Sequence, residues 1–157
     1  MIFEKNKNRI ERNGRFFVIE NELKKIKTMS YFIGTTIKEK SFDEAVETVK
    51  TELGKEGFGV PSEINMQQTF KMKLDVDFRK YLILGACNPE FAHRAVQSEK
   101  NLGVLLPCNV ILQEHENGEI EVAAVDPIAS MAAVKNDVVQ EIAKEIKSRL
   151  ERVIQRL

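Results

Sequence analysis

"LGVLLPCNVILQEHENGEIEVAAVDP", Leu102 to Pro127, decides the fold class. Two apolar runs flank Asn117-Gly118, a pair strongly favoured in two-residue hairpin turns. The first run, 102–115, is expected to be a strand with Pro107 in its middle, and 120–127 its return strand. A tight hairpin joins antiparallel strands, so the sheet is expected to be antiparallel.

Upstream, "NPEFAHRAVQSEKN" (88–101) has the grammar of a helix start. Asn88 suits the N-cap, Pro89 the first helical position, and Glu90 the positive end of the dipole. "KYLILGAC" (80–87) before it is a continuously apolar strand. "TFKMKLDVDF" (69–78) gives the clearest alternation, with Phe70, Met72, Leu74, Val76 and Phe78 on one side. It is expected to be a strand that pairs with 80–87 or bends into it, with Asp75 and Asp77 toward water. "FGVPSEINM" reads as a strand that Pro61 confines to an edge or a bulge.

The N-terminal part of the domain begins with "YFIGTTIK" (31–38), a strand. Ser41 then caps an amphipathic helix with Phe42, Ala45, Val46, Val49 and Leu53 at helical spacing, closed by Gly57. After the hairpin, 127–131 reads as a short helical turn. The chain ends in a long amphipathic helix over 136–157, capped by Asn136. The expected order is β-α-β-β-β-α-β-β-α. It describes an α+β domain, a curved antiparallel sheet with helices packed mainly on one face.

Composition sets further bounds. The 24 Lys and Arg balance 24 Asp and Glu, but residues 1–28 carry eight basic residues against four Glu. Residues 1–29 are therefore read as a basic extension, either disordered or added by an upstream start codon, and 30–157 as a single domain. The body is slightly acidic, which disfavours nucleic acid as a partner. No apolar run approaches the roughly 18 residues of a membrane helix, and the first thirty residues lack a secretory core. The chain is expected to be cytoplasmic, with its two cysteines as thiols.

Those cysteines pose the functional question. "GACNP" (85–89) and "LLPCNV" (105–110) each place Asn after Cys and Pro within two positions. Cys87 ends a strand just before a helix N-terminus, a setting expected to push a thiol toward thiolate. Cys108 lies among apolar residues, where a cysteine usually acts as a small hydrophobe. Asn88 is expected to satisfy backbone donors, and Asn109 to bond the backbone bent by Pro107. Thiolates with a thioether such as Met131 select soft ions, Cu(I) above all. His93, on the helix after Cys87, is a candidate ligand or base, and also reads simply as a rim residue. His115 reads as a solvent-facing turn residue. No CxxC, HExxH, P-loop or GxSxG is present, and no carboxylate pair suggests catalysis.

The ordered set "GACNPEFAHRAV", "LGVLLPCNVIL", "VAAVDPIASM" and "RLERVIQRL" resembles the bacterial and archaeal family catalogued as domain of unknown function 302. The matching positions are Gly85, Cys87, Asn88, Pro89, Ala92, Leu105, Pro107, Cys108, Asn109, Pro127 and Met131. The resemblance covers about 30–157. It implies a compact α+β domain, commonly dimeric, with no established reaction, and it favours one shared site for the two Cys-Asn segments. The basic leader departs from the family's usual start.

Three readings follow. The first is a binding module whose ligand, a soft metal ion, a metal cofactor or a small molecule, sits at Cys87, Asn88, Cys108, Asn109 and His93, with Met131 joining the cysteines on a metal. The second is a structural domain with packing cysteines, dimerising through Ile142, Ile146 and Leu150 of the last helix. The third is a thiol enzyme or redox sensor, with Cys87 as nucleophile and Cys108 as resolving thiol. The first ranks slightly above the second and the third ranks last, so a non-enzyme is favoured.

Overall fold

A computed structural model of the chain describes residues 9–12, 15–18, 27–28 and 31–157. Strands β1 (Arg9–Arg12) and β2 (Arg15–Val18) pair antiparallel as a separate ribbon. The two-residue β3 (Lys27–Thr28) lies beside β4 (Phe32–Ile37) at one edge of the main sheet. The reading of the rest of the leader as disordered lies outside the described residues. The domain continues as α1 (Phe42–Lys55), β5 (Gly59–Asn65), α2 (Met66–Leu74), β6 (Tyr81–Cys87) and α3 (Pro89–Ser98). It ends with β7 (Cys108–Glu114), β8 (Ile120–Val125), α4 (Pro127–Ser130) and α5 (Asp137–Arg156). The main sheet is antiparallel throughout, in the order β3-β4-β8-β7-β6-β5.

Register decides which side chains enter the core. Ile33, Ala124, Val110 and Leu84 lie in one row across β4, β8, β7 and β6, and all four are buried. The next inward row runs through Thr35, Val122, Leu112 and Leu82. These rows join the apolar faces of α1 and α5 in one core, with Ala95 from α3. Val139, Ile142, Ala143, Ile146, Leu150, Val153 and Ile154 form the buried stripe of α5, as the helical spacing requires.

Helix ends follow their sequence signals. Ser41 and Glu44 form a reciprocal capping box, with Glu44 N–H donating to Ser41 Oγ at 3.3 Å and Ser41 N–H to Glu44 Oε2 at 2.8 Å. At the other end of α1, Gly57 has φ +83°. Phe58 N–H reaches the Leu53 carbonyl and Gly57 N–H the Gly54 carbonyl, both at 3.0 Å, a Schellman closure. Asn136 Oδ1 caps α5 by accepting from Val139 N–H. Pro61 lies in β5, which forms an edge of the sheet and shifts register between Gly59 and Ser62.

The expected strand over 69–78 is not one: it is most of α2 and the extended return that follows. Asn65 Oδ1 accepts from Gln68 N–H at 3.0 Å and starts the helix. Helix formers Met66, Gln67, Gln68, Lys71, Met72, Lys73 and Leu74 carry it. Asp75, with φ +52°, ends it by donating its N–H to the Lys71 carbonyl. Strand β5 thus pairs directly with β6, and 66–80 is the connection between them, with α2 in contact with β6. Asp75 and Asp77 do face water, with side chains 89% and 94% exposed.

Two smaller corrections concern 102–119. Leu102–Leu105 form a 3-10 turn and the strand starts only at Cys108, after a cis peptide at Leu106-Pro107. The hairpin turn is centred on Glu116-Asn117 rather than Asn117-Gly118. Gly118 N–H donates to the His115 carbonyl, and Gly118 takes the left-handed position at φ +80°.

Arginines on α5 tie it to the end of α1. Arg152 Nη2 lies 2.9 Å from Glu56 Oε2, and Arg156 Nε lies 2.6 Å from Glu52 Oε2. Lys55, followed by Arg156, holds the Glu52 carboxyl below its usual 4.5, and Arg152, ahead of Arg156, does the same for Glu56. Both folded values are depressed, so the stabilisation is present above about pH 4.5 and is lost as pH falls through the folded values. Urea midpoints are expected to drop across that window, and Glu56→Gln should flatten the slope there. Leu150, fully buried, is expected on truncation to alanine to cost about 2–5 kcal/mol in the same denaturation measurement.

Candidate thiol-lined site

The two Cys-Asn segments are neighbours. Strands β6 and β7 pair so that Ala86 faces Cys108 and Gly85 faces Asn109. A Cβ on Gly85 would lie 2.2 Å from Ser62 Oγ and 2.7 Å from Pro107 Cγ, so a glycine is what lets the "LPC" bend pack on β6. Cys87 follows Ala86 at the strand end, and α3 begins two residues later.

Asn88 fixes that junction. Its Oδ1 accepts from Phe91 N–H at 3.4 Å and its Nδ2 donates to the Glu56 carbonyl at 3.4 Å. Arg149 Nη1 donates to the same carbonyl at 3.0 Å. A Cβ on Gly57 would come within 2.9 Å of Asn88 Nδ2, so the glycine that ends α1 also makes room for this contact. The starts of α3 and α5's arginine row thereby lock onto the end of α1. The expected cap role of Asn88 is confirmed, and its amide is engaged on both sides.

Beneath the junction lies a cavity of about 30 Å³. Cys87, Asn88, Cys108 and Met131 line it, with Phe58, Phe91 and Ile142 among the apolar walls. Met131 arrives from the end of α4, which Asp126 caps through Ile128 N–H at 2.9 Å. Gln140 Nε2 donates to the Met131 carbonyl at 3.0 Å and to that of Val134 at 2.9 Å, anchoring the turn between α4 and α5. Three sulfur-bearing residues from three separate elements thus share one small space.

His93 and Asn109 do not join them. His93 is exposed on α3, and Asn109 is exposed on β7 between the inward-facing Cys108 and Val110. His115 sits at the hairpin, where its Nε2 lies 2.9 Å from Glu121 Oε2. Among the described residues, no group of three or more His, Cys, Asp or Glu side chains could hold a metal ion. The site's remaining walls were hidden from sequence reasoning because Phe58, Phe91 and Ile142 read there only as core or helix-face positions. Ile142, 5% exposed, together with Ile146 and Leu150, packs on its own domain, so the expected dimer face on α5 is not available.

Both cysteines are free thiols. Burial pushes the Cys87 thiol up rather than down, against the shift toward thiolate expected at a helix N-terminus. The nearby amide of Phe91 is already taken by Asn88. Cys108 is pushed up to about 11, by burial and then by the like charge that Cys87 would carry. At neutral pH the cavity holds two protonated thiols and a thioether, a poor setting for a nucleophile.

No helix among the described residues is long and apolar enough to cross a membrane. No curated protein matches the chain. The fold is similar to the crystal structure of an uncharacterized conserved protein DUF302 from Bacillus stearothermophilus, at 27% identity and a TM-score of 0.70, covering 78% of this chain and 96% of that one. The family model described as "Domain of unknown function DUF302" matches residues 33–157. With most of its length matched in this way, the chain belongs to the DUF302 family.

Proposed function

We propose that the domain is a binding module that takes one soft metal ion on Cys87, Cys108 and Met131. One observation carries the reading: these three side chains line the same cavity. Its volume of about 30 Å³ suits a single ion or one water and leaves no room for an organic ligand or a metal cofactor. Two thiolates and a thioether form a donor set that favours Cu(I) over harder ions. His93 and Asn109 stand outside the donor set, and Asn88 serves by holding Cys87 and α3 in place. A reducing, cytoplasmic compartment keeps the thiols available.

The metal must displace protons from thiols whose affinity for them is raised. Affinity is therefore expected to rise with pH, by about tenfold per unit for each proton released. A homodimer fits the family resemblance, and its contact would not use the stripe of Ile142, Ile146 and Leu150, which is buried in the chain's own core.

Anaerobic titration of the reduced protein with Cu(I), against a competing chelator and with native mass spectrometry, tests the site. One ion per chain is expected, lost in Cys87→Ser and in Cys108→Ser and weakened in Met131→Leu. Reduced protein that binds no Cu(I), while its thiols stay free and the fold is intact, would leave the cysteines as packing residues. A separate alkylation experiment checks the thiols: Cys87 should react first, with its rate inflecting above pH 9.

A further inference from the structure

Strand β6 runs from Tyr81 to Cys87, so the thiols stand at its far end. At its near end, Glu114 N–H donates to the Lys80 carbonyl at 3.0 Å. Beyond that bond lies an open cleft of about 1180 Å³. Asp77, Phe78 and Arg79 line it from one segment, and Glu114, His115 and Glu116 from the hairpin.

Arg79 is held in a fixed orientation there. Its Nε and Nη2 both donate to Gln113 Oε1, at 2.9 and 2.7 Å. Gln113 is oriented in turn, because its Nε2 donates to Glu121 Oε2 at 3.2 Å, and that oxygen lies 2.9 Å from His115 Nε2. The guanidinium carbon stands 4.6 Å from the Phe78 ring centre and 5.6 Å from that of Tyr81. One edge of the guanidinium is thus occupied, by a neutral amide that orients it without cancelling its charge. The other edge, Nη1 with the second Nη2 hydrogen, bonds nothing among the described residues, and Arg79 makes no ion pair there.

The neighbouring carboxylates are engaged elsewhere. Glu121 serves Gln113 and His115, Asp77 lies 3.1 Å from Lys71 Nζ, and Glu114 lies 3.4 Å from Lys80 Nζ. Glu116 makes no ion pair among the described residues. The cleft therefore presents one oriented cationic fork and one uncommitted carboxylate. Parallel N–H groups on a guanidinium edge match the oxygens of a carboxylate, and Arg79 holds them in place before any ligand arrives. The acidic side chains around the fork disfavour a bare anion and favour a ligand that also carries positive charge.

We infer that this cleft is a second binding site, separate from the thiols, for a ligand with a terminal carboxylate and a cationic group. The carboxylate lies on the open edge of Arg79, and Glu116 takes the cation. A free basic amino acid and the C-terminus of a basic peptide share that chemistry.

NMR titration of the full chain, following the Arg79 Nε–H and the backbone amides of 113–118, tests the site. The probes are lysyl-alanine, its C-terminal amide, free lysine and inorganic phosphate. Lysyl-alanine should shift these resonances to saturation, and its amide should bind at least about tenfold more weakly, the loss of one bidentate charged contact. Arg79→Lys keeps the charge and loses the fork, and should weaken lysyl-alanine by about the same factor, with the rest of the spectrum unchanged. Glu116→Gln should weaken it less. Free lysine binding as tightly as the dipeptide assigns the site to an amino acid; a clear preference for the dipeptide assigns it to a peptide terminus. No shift with any probe up to tens of millimolar, or equal binding of the acid and the amide, would overturn the site. Full affinity in Arg79→Lys would overturn the fork, and phosphate binding as tightly as lysyl-alanine would overturn the cationic group.

Discussion

The contact of α5 with the sheet is the constraint on which the rest depends. Its buried stripe from Val139 to Ile154 covers the inward rows of β4, β8 and β7. Helices α1, α3 and α4 then pack against α5 as well: α1 through the Glu52 and Glu56 ion pairs, α3 through Arg149 over the Phe91 ring at 5.0 Å, and α4 through Lys147 and Asp126 at 2.6 Å. The partners on α5 recur at helical spacing, so one rigid element positions all three neighbours at once. The thiol-lined cavity lies within that arrangement, walled in part by Ile142, Ala143 and Ile146.

What was legible in the sequence was mostly local. Ser41, Asn88 and Asn136 announce helix starts because each side chain satisfies an amide within three residues of itself. The α5 stripe was legible because a helix has only one face to bury. The antiparallel sheet followed from the hairpin, even though its turn sits one residue earlier than the Asn-Gly pair suggested. The stretch 69–78 misled because alternation records which residues are apolar, not what covers them. Its Phe70 and Phe78 cover each other, while Met72, Leu74 and Val76 face outward. Asn65 as a helix cap and Asp75 as a left-handed stop were the competing local signals, and they prevailed because β5 already fills the place beside β6.

The site was legible in part. The repeated Cys-Asn pairing pointed to one locus, and the register of β6 and β7 puts the two segments side by side. Sequence proximity failed for His93 and Asn109 for geometric reasons. One lies on the outer surface of α3, and the other follows Cys108 on a strand, where successive side chains face opposite ways. Met131 was harder to place because its position depends on how α4 turns back toward α5, a contact made through Gln140 and the Met131 carbonyl.

For the metal site proposed above, the raised affinity of both thiols for protons bears on which metal it would take. A proton is itself a competing ligand, so a cation must offset the loss of two S–H bonds as well as its own desolvation in an apolar cavity. Hard divalent ions, strongly hydrated and best served by oxygen donors, gain little there. A soft monovalent ion loses less on dehydration and gains more from sulfur. It also needs few ligands, which would suit a cavity of about 30 Å³. In the proposed site, the burial that makes Cys87 and Cys108 poor nucleophiles would also make them selective: the same desolvation that keeps the protons on would exclude ions that cannot replace them.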